Sequence, residues 1–291
     1  MHALMEELLK QAPVLTDGAW GTELQARGLP PGSCPDAWNL SDAAGVESVA
    51  RSYVEAGSRV ILTNTFGANR FVLAGHGLEA NVLEINRAGA AISRRAAGDI
   101  ASVFGSMGPS GRMLMMGEVT EEELFEAFSI QANGLKEGGA DGLVIETMSD
   151  PAEAAVAVRG AKTSGLPVVA SFVFDSGEDL DRTMMGTTPE DAVAAVVAEG
   201  VDGVGANCGQ GIEGFVALCS RLHAATDLPV WIKPNAGLPE MVDGKTVYRT
   251  SAEAFASRVP DLIANGASFV GGCCGTSPEF IRVTADLIRR A

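Results

Sequence analysis

Eight short apolar runs punctuate the chain. Each closes on a polar or glycine-rich turn, and each is followed by a stretch rich in Ala, Leu and Glu. The runs are Pro13–Gly18, Arg59–Thr65, Ile100–Ser106, Asp141–Thr147, Leu166–Phe174, Asp202–Cys208, Leu228–Asn235 and Ala267–Cys274. Near-continuous apolar runs predict strands covered on both faces, the signature of a parallel sheet. The intervening stretches predict helices at about 43–56, 79–97, 120–138, 150–164, 188–199, 213–225, 251–265 and 278–290. Several of these open on a capping residue or an early proline, as at Ser149-Asp-Pro151, Thr188-Pro-Glu-Asp191 and Ser277-Pro-Glu279. Gly57, Gly138, Gly200 and Gly266 mark ends.

Eight strand–helix alternations predict an α/β protein, a single (β/α)8 barrel filling residues 1–291 as one domain. An open doubly wound sheet would place a phosphate-binding glycine turn after the first strand. Here that turn reads Asp17-Gly-Ala-Trp-Gly21, with an acid ahead of it, which suits a phosphate poorly. The length of 291 residues is ordinary for a barrel, and 46% hydrophobic residues supply its core.

Charge narrows the partners. With 21 Lys and Arg against 37 Asp and Glu, the net charge is −16, which repels nucleic acid and anionic membrane surfaces. The N-terminal Met1–Lys10 segment is a short amphipathic start without the features of a signal peptide, and no apolar stretch is long enough to span a bilayer. The expected location is cytoplasmic. The five cysteines are Cys34, Cys208, Cys219, Cys273 and Cys274, an odd number in a large chain, which argues against a disulfide framework.

In a (β/α)8 barrel the chemistry gathers at the carboxyl ends of the strands. Those ends carry Asp17, Asn64, Glu146, Asn207-Cys208, Asn235 and Cys273-Cys274. Cys208, Cys273 and Cys274 therefore converge on one mouth. Three thiolates with a fourth position free suit zinc. Consecutive residues on a regular strand face opposite ways, so both Cys273 and Cys274 reach one ion only if the strand ends there. Gly271, Gly272 and Gly275 permit such a turn. The alternative is that the three are simply small buried residues. Asp17 and Glu146 also carry two readings: partners in a salt bridge within the mouth, or anionic groups awaiting an ammonium. An acceptor with both an amine and a thiol would fit the second.

The chain resembles the homocysteine S-methyltransferase family along nearly its whole length, and most of all the homocysteine-binding barrel of cobalamin-dependent methionine synthase. The resemblance rests on Thr16–Leu24, Leu62–Asn69, Gly105–Gly111, Ile145–Met148, Gly205–Gly209, Pro234–Gly237 and Gly271–Thr276, with Lys245–Tyr248 in support. It implies zinc on Cys208, Cys273 and Cys274, with homocysteine sulfur in the fourth position. It implies Asp17 and Glu146 at the amino group and the Gly18-Ala19 backbone near the substrate. Asn235 would lie beside the metal, able to take the open position when substrate is absent. The expected activity is methylation of homocysteine to methionine, or of a related thiol, within methionine biosynthesis.

For the methyl donor two classes stay open. Methionine synthase relatives carry folate and cobalamin modules beyond this barrel, whereas this sequence stops after the eighth helix, so the donor is expected to be a separate methyl-corrinoid protein or a small sulfonium or quaternary ammonium. Trp20, Trp38 and Asn64 are the candidate donor-site residues, although the two tryptophans also suit a plain cover for the mouth. Thr147 stands where the betaine-using relatives have Tyr, which speaks against betaine. A rival of another class is a Schiff-base aldolase using Lys233 on the seventh strand.

Overall fold

The computed structural model describes residues 1–242 and 245–290. Eight parallel strands run β1 Val14–Leu15, β2 Val60–Leu62, β3 Ser102–Met107, β4 Gly142–Met148, β5 Val168–Phe172, β6 Gly203–Gly211, β7 Val230–Asn235 and β8 Ala267–Val270. Their order is β1-β8-β7-β6-β5-β4-β3-β2. Chain neighbours are spatial neighbours, and β8 returns to β1. The remaining gap, between β1 and β2, is bridged by the Arg59 N–H donating to the Leu15 carbonyl at 2.7 Å. The Asp17 carboxylate adds a second tie by accepting the Leu62 N–H, also at 2.7 Å. The sheet is thus the nearly closed (β/α)8 barrel that the pattern predicts.

Alternate strand residues fill the barrel. Val14, Val60, Leu62, Phe104, Val144, Val169, Trp231 and Phe269 form one buried cluster, plugged by Met5 of the helix Ala3–Leu9. Trp231 stacks on Phe104 at 5.9 Å between centroids and lies 5.2 Å from Phe269. Such pairs add about 0.5–1.5 kcal/mol each beyond simple burial. Opposite Trp231, β6 carries Gly205, where a Cβ would sit 2.1 Å from the Trp231 carbonyl oxygen. The plug is held by the His2 N–H, which donates to Asp202 at 2.8 Å.

The outer helices fall where the sequence puts them, at Ala43–Ala56, Val82–Ala97, Glu121–Glu137, Pro151–Lys162, Pro189–Val197, Ile212–Ala225, Ala252–Ala264 and Pro278–Arg290. Thr120 and Glu123 form a reciprocal capping box, and Asp150 and Thr188 cap two of the three helices that begin with proline. At one predicted end the left-handed residue is Gly139, not Gly138, whose φ of −78° is helical. Not foreseen are the short helices Gly21–Ala26, Trp38–Ser41 and Arg70–Ala74, and a hairpin pairing Glu240–Val242 with Lys245–Val247. Helices of one turn carry no periodic signal and depend on tertiary contacts. Several strands are shorter than their apolar runs, because residues such as Asp17 and Asn64 lie beyond the ladder and build the mouth. Among the described residues no helix is long and apolar enough to cross a membrane.

Candidate metal centre and substrate cavity

Two irregularities in the ladder aim the side chains of the mouth. Between β6 and β7 the register moves from Asn207↔Lys233 to Gly211↔Asn235, so four steps on β6 match two on β7. The surplus lifts Cys208 out of the sheet, with φ at 64° and Gly209 following at 73°. Between β4 and β5 the register moves from Ile145↔Ala170 to Met148↔Phe172, three steps against two. That bulge holds Glu146 and Thr147, the latter at φ 62°. Bulges of this kind re-aim side chains beside functional sites. A left-handed conformation at a residue with a Cβ costs about 1–3 kcal/mol and persists only where neighbours impose it.

The third wall follows β8. Gly271 packs where a Cβ would meet Thr16 Oγ1 at 2.0 Å, and at Gly275 a Cβ would meet the Tyr248 ring at 2.3 Å. Gly275 also has φ at 80°. The Cys273 N–H donates to the Pro234 carbonyl at 2.7 Å, and the Ala236 N–H to the Cys274 carbonyl at 2.9 Å. The turn between them lets both consecutive thiols face Cys208. The three sulfurs lie within 4.8 Å of one another, and Cys208 Sγ is 3.9 Å from Cys274 Sγ. A tetrahedral site with metal–sulfur bonds of about 2.3 Å has sulfur–sulfur edges of about 3.8 Å. The spacing therefore fits a zinc-sized ion and excludes a disulfide. The Asn235 carboxamide oxygen is buried nearby without a hydrogen-bond partner. Hydrogen bonds from Cys273 and Cys274 hold the Cys208 thiol well below the ordinary thiol range, and the hydrogen bond to Cys208 pushes Cys274 up.

These thiols form one wall of a cavity of about 460 Å3 that also meets Gly18, Ala19, Trp20, Asn64, Phe66 and Glu146. A volume of this order suits a small molecule. Asp36 and Glu146 are the acids on the wall, and Glu146 comes from β4. Ser106 Oγ donates to it at 2.5 Å, and among the described residues no cation lies within ion-pair distance. Burial pushes its carboxyl above the usual range, partly offset by the Lys233 charge. Asp17 lies behind the wall. Its carboxylate is taken by Lys233, by Trp20 Nε1 at 2.8 Å and by the Leu62 N–H. The two acids thus divide the two sequence readings: Asp17 is salt-bridged and Glu146 is not.

The other candidates sort as follows. Ala19 and Gly18 line the cavity, pinned by the Tyr53 hydroxyl, which donates to the Ala19 carbonyl at 2.6 Å. Trp20 also lines it, whereas Trp38 packs into the cluster around Val46 and Tyr53, away from the wall. Asn64 reaches the wall with its amide committed to the Pro35 carbonyl at 2.7 Å. Cys219 is buried in its helix and Trp231 in the barrel. The sequence names Asn207 at a strand end and Cys34 among the cysteines without assigning either a role, and it gives no sign of Ser106 or Asp36. Cys34 and Asp36 line the far end of the cavity, and burial raises the Asp36 carboxyl to about 6. Asp36 accepts the Gly67 N–H at 3.0 Å and so ties the first mouth loop to the second.

Fold and site together define a (β/α)8 barrel whose mouth carries three convergent thiols able to hold a metal ion. The family described as homocysteine S-methyltransferase matches residues 14–288, and the chain belongs to that family. Methionine synthase of Mycobacterium leprae is 32% identical over 98% of the chain, and that of Mycobacterium tuberculosis 32% identical over 97%. The chain spans 25% of the length of each. Among solved structures, the metallated form of the homocysteine methyltransferase MmuM from Escherichia coli superposes with a TM-score of 0.80 at 25% identity, covering 97% of this chain and 99% of that one.

Proposed function

We propose that the protein is a zinc-dependent S-methyltransferase that converts homocysteine to methionine. The observation that carries this reading is the thiol trio at tetrahedral spacing, 3.9 Å between Cys208 and Cys274, on the same wall as an unpaired buried acid. Cys208, Cys273 and Cys274 are the metal ligands in this reading, and Asn235 presents its orphaned oxygen beside them. Bound there, zinc supplies the means to keep an acceptor thiol deprotonated at neutral pH, where a free thiol with a pKa near ~8.5 is mostly protonated.

The chain's own groups do the rest. Glu146 receives the acceptor's ammonium, held in place by Ser106. Asp17 acts at one remove: it engages Lys233 and leaves Glu146 without an ion-pair partner. Gly18 and Ala19 let the backbone approach the substrate. The protein's further task is to hold sulfur and methyl group in line. The methyl donor enters through the mouth, either on a methyl-corrinoid protein or as a small sulfonium or quaternary ammonium. Trp20 and Phe66 on the cavity wall support an onium group through cation–π attraction.

A Schiff-base role for Lys233 is disfavoured, because the reaction needs a free amine and this one is buried in an ion pair. Residues 1–291 are read as one domain working in the cytoplasm, where thiols stay reduced. The deciding experiment assays purified protein, its zinc content measured, with homocysteine and a panel of methylcobalamin, S-methylmethionine, S-adenosylmethionine, betaine and methylated thiols. Methionine formation with one donor class, lost on removing zinc, is the expected result. No methionine with any donor, or full turnover without zinc, rejects the proposal.

A further inference from the structure

The two bulges that aim Glu146 and Cys208 lie on strands separated by β5, yet one side chain touches both. Asn207, fully buried, directly precedes Cys208. Its carboxamide reaches back across β5. The oxygen accepts the Thr147 N–H at 2.9 Å and the Ser171 hydroxyl at 2.6 Å, and the Nδ2 group donates to Thr147 Oγ1 at 2.7 Å. Ser171 is on β5 itself. Thr147 follows Glu146 and is held at φ 62°, a conformation that β-branched residues almost never adopt unaided. Cys208 on the other side is held at φ 64°. A single amide thus grips the backbone N–H and the side-chain hydroxyl of Thr147 while forming part of the bulge that carries the first thiol.

We infer that Asn207 is a positioning residue that couples the acid wall to the thiol wall, so that Glu146 and Cys208 keep a fixed separation across the cavity. The inference rests on the proposed reading of these walls as the amine and metal sites. Neither role requires Asn207 to touch substrate or metal. A carboxamide is the side chain that can do this: it accepts two hydrogen bonds on its oxygen, donates from its nitrogen and adds no charge beside Glu146 and three thiols.

The test compares wild type, Asn207→Ala, Thr147→Gly and the double variant in three measurements on the full chain. These are zinc affinity by competition with a chromophoric chelator, homocysteine binding by calorimetry, and amide hydrogen exchange over the segments around Thr147 and Cys208. Asn207→Ala is expected to weaken zinc about 10–100-fold, the range seen when a group supporting a metal ligand is lost. Homocysteine binding should weaken by about tenfold or more through misplacement of Glu146. Exchange should quicken at both segments while those around β1 and β2 keep their rates. Glycine accepts positive φ without strain. Adding Thr147→Gly to Asn207→Ala should therefore restore much of the homocysteine binding and leave the zinc defect in place.

A general loss of stability would move both affinities together, with no selective rescue, and that result overturns the coupling. So does Asn207→Ala with zinc and homocysteine affinities at the wild-type level. If wild type itself binds neither zinc nor homocysteine, the proposed function falls instead. Exchange then decides the coupling alone, and unchanged rates around Thr147 and Cys208 in Asn207→Ala reject it.

Discussion

Lys233 and Asp17 form a buried ion pair, at 2% and 0% exposure, with Lys233 on the cavity wall and Asp17 behind it. The pair joins β7 to the turn after β1. Removing one partner of such a pair leaves a buried charge without compensation, at a cost of about 3–5 kcal/mol. Lys233→Met is therefore expected to lower stability by that amount in urea unfolding. Asp17→Asn in the same chain should recover most of the loss, since an amide oxygen can still accept from Trp20 and Leu62. A single Lys233→Met as stable as wild type contradicts the account.

Replacing any one of Cys208, Cys273 or Cys274 by Ser removes a thiolate from a three-ligand site. Each variant is expected to lose zinc on dialysis and with it methyl transfer, whereas Cys219→Ser keeps both because Cys219 packs inside a helix. Metal analysis of the dialysed proteins checks this. A full equivalent of zinc in the Cys274→Ser protein would remove Cys274 from the site.

Glu146 is argued to recognise an amine, so its effect should depend on that amine. Glu146→Gln is expected to weaken homocysteine binding about 10–100-fold, the worth of a charged hydrogen bond, with zinc retained. The des-amino analogue 4-mercaptobutyrate should bind wild type and variant alike. Calorimetry with both thiols decides, and equal losses for the two would assign Glu146 another role.

Asp36 gives the fold a pH dependence of its own. Burial raises its carboxyl from 3.8 to about 6, against the pull of the Gly67 and Cys34 hydrogen bonds. The folded state thus holds a proton that the unfolded chain releases between pH 4 and 6. The contribution of Asp36 to stability falls as pH rises through that window and levels off above it, by about 3 kcal/mol in all. Asp36→Asn keeps an acceptor for Gly67 and should flatten this slope. Urea midpoints at pH 4.5 and pH 7 test it, and an unchanged slope in the variant would place the dependence elsewhere.

The barrel is legible in the sequence because its strands are near-continuous apolar runs and its helices carry caps. Thr120, Thr188 and Ser251 each stand immediately before a helix at its predicted start. The thiol trio is legible because strand ends in this fold converge. The division of labour between Asp17 and Glu146 is less so. It follows from Lys233 sharing the inward face with Trp231 two residues earlier, a period-two relation that shows only once strand seven is placed. The role of Asn207 escaped because a bulge leaves no mark in composition, and Asp36 escaped because the single turn Pro35–Ala37 that carries it has no periodic signal. A buried Asn at a strand end looks like any turn residue until the register around it is known.

The first strand, only two residues long, bears on how the ring behaves as a whole. It meets β2 through one backbone hydrogen bond, one carboxylate and the Ser58 hydroxyl, which donates to the Thr16 carbonyl at 3.2 Å, while every other neighbouring pair shares at least two registered residues. The barrel is a hoop with one soft joint, placed directly under the Gly18-Ala19 wall. If entry of a ligand widens the mouth, the hoop yields there first, at least cost to the rest of the ring. Trp20, bonded to the same Asp17 carboxylate, is positioned as a built-in fluorescent gauge of that joint, and its emission should shift on ligand binding while that of Trp231, deep in the barrel, stays constant.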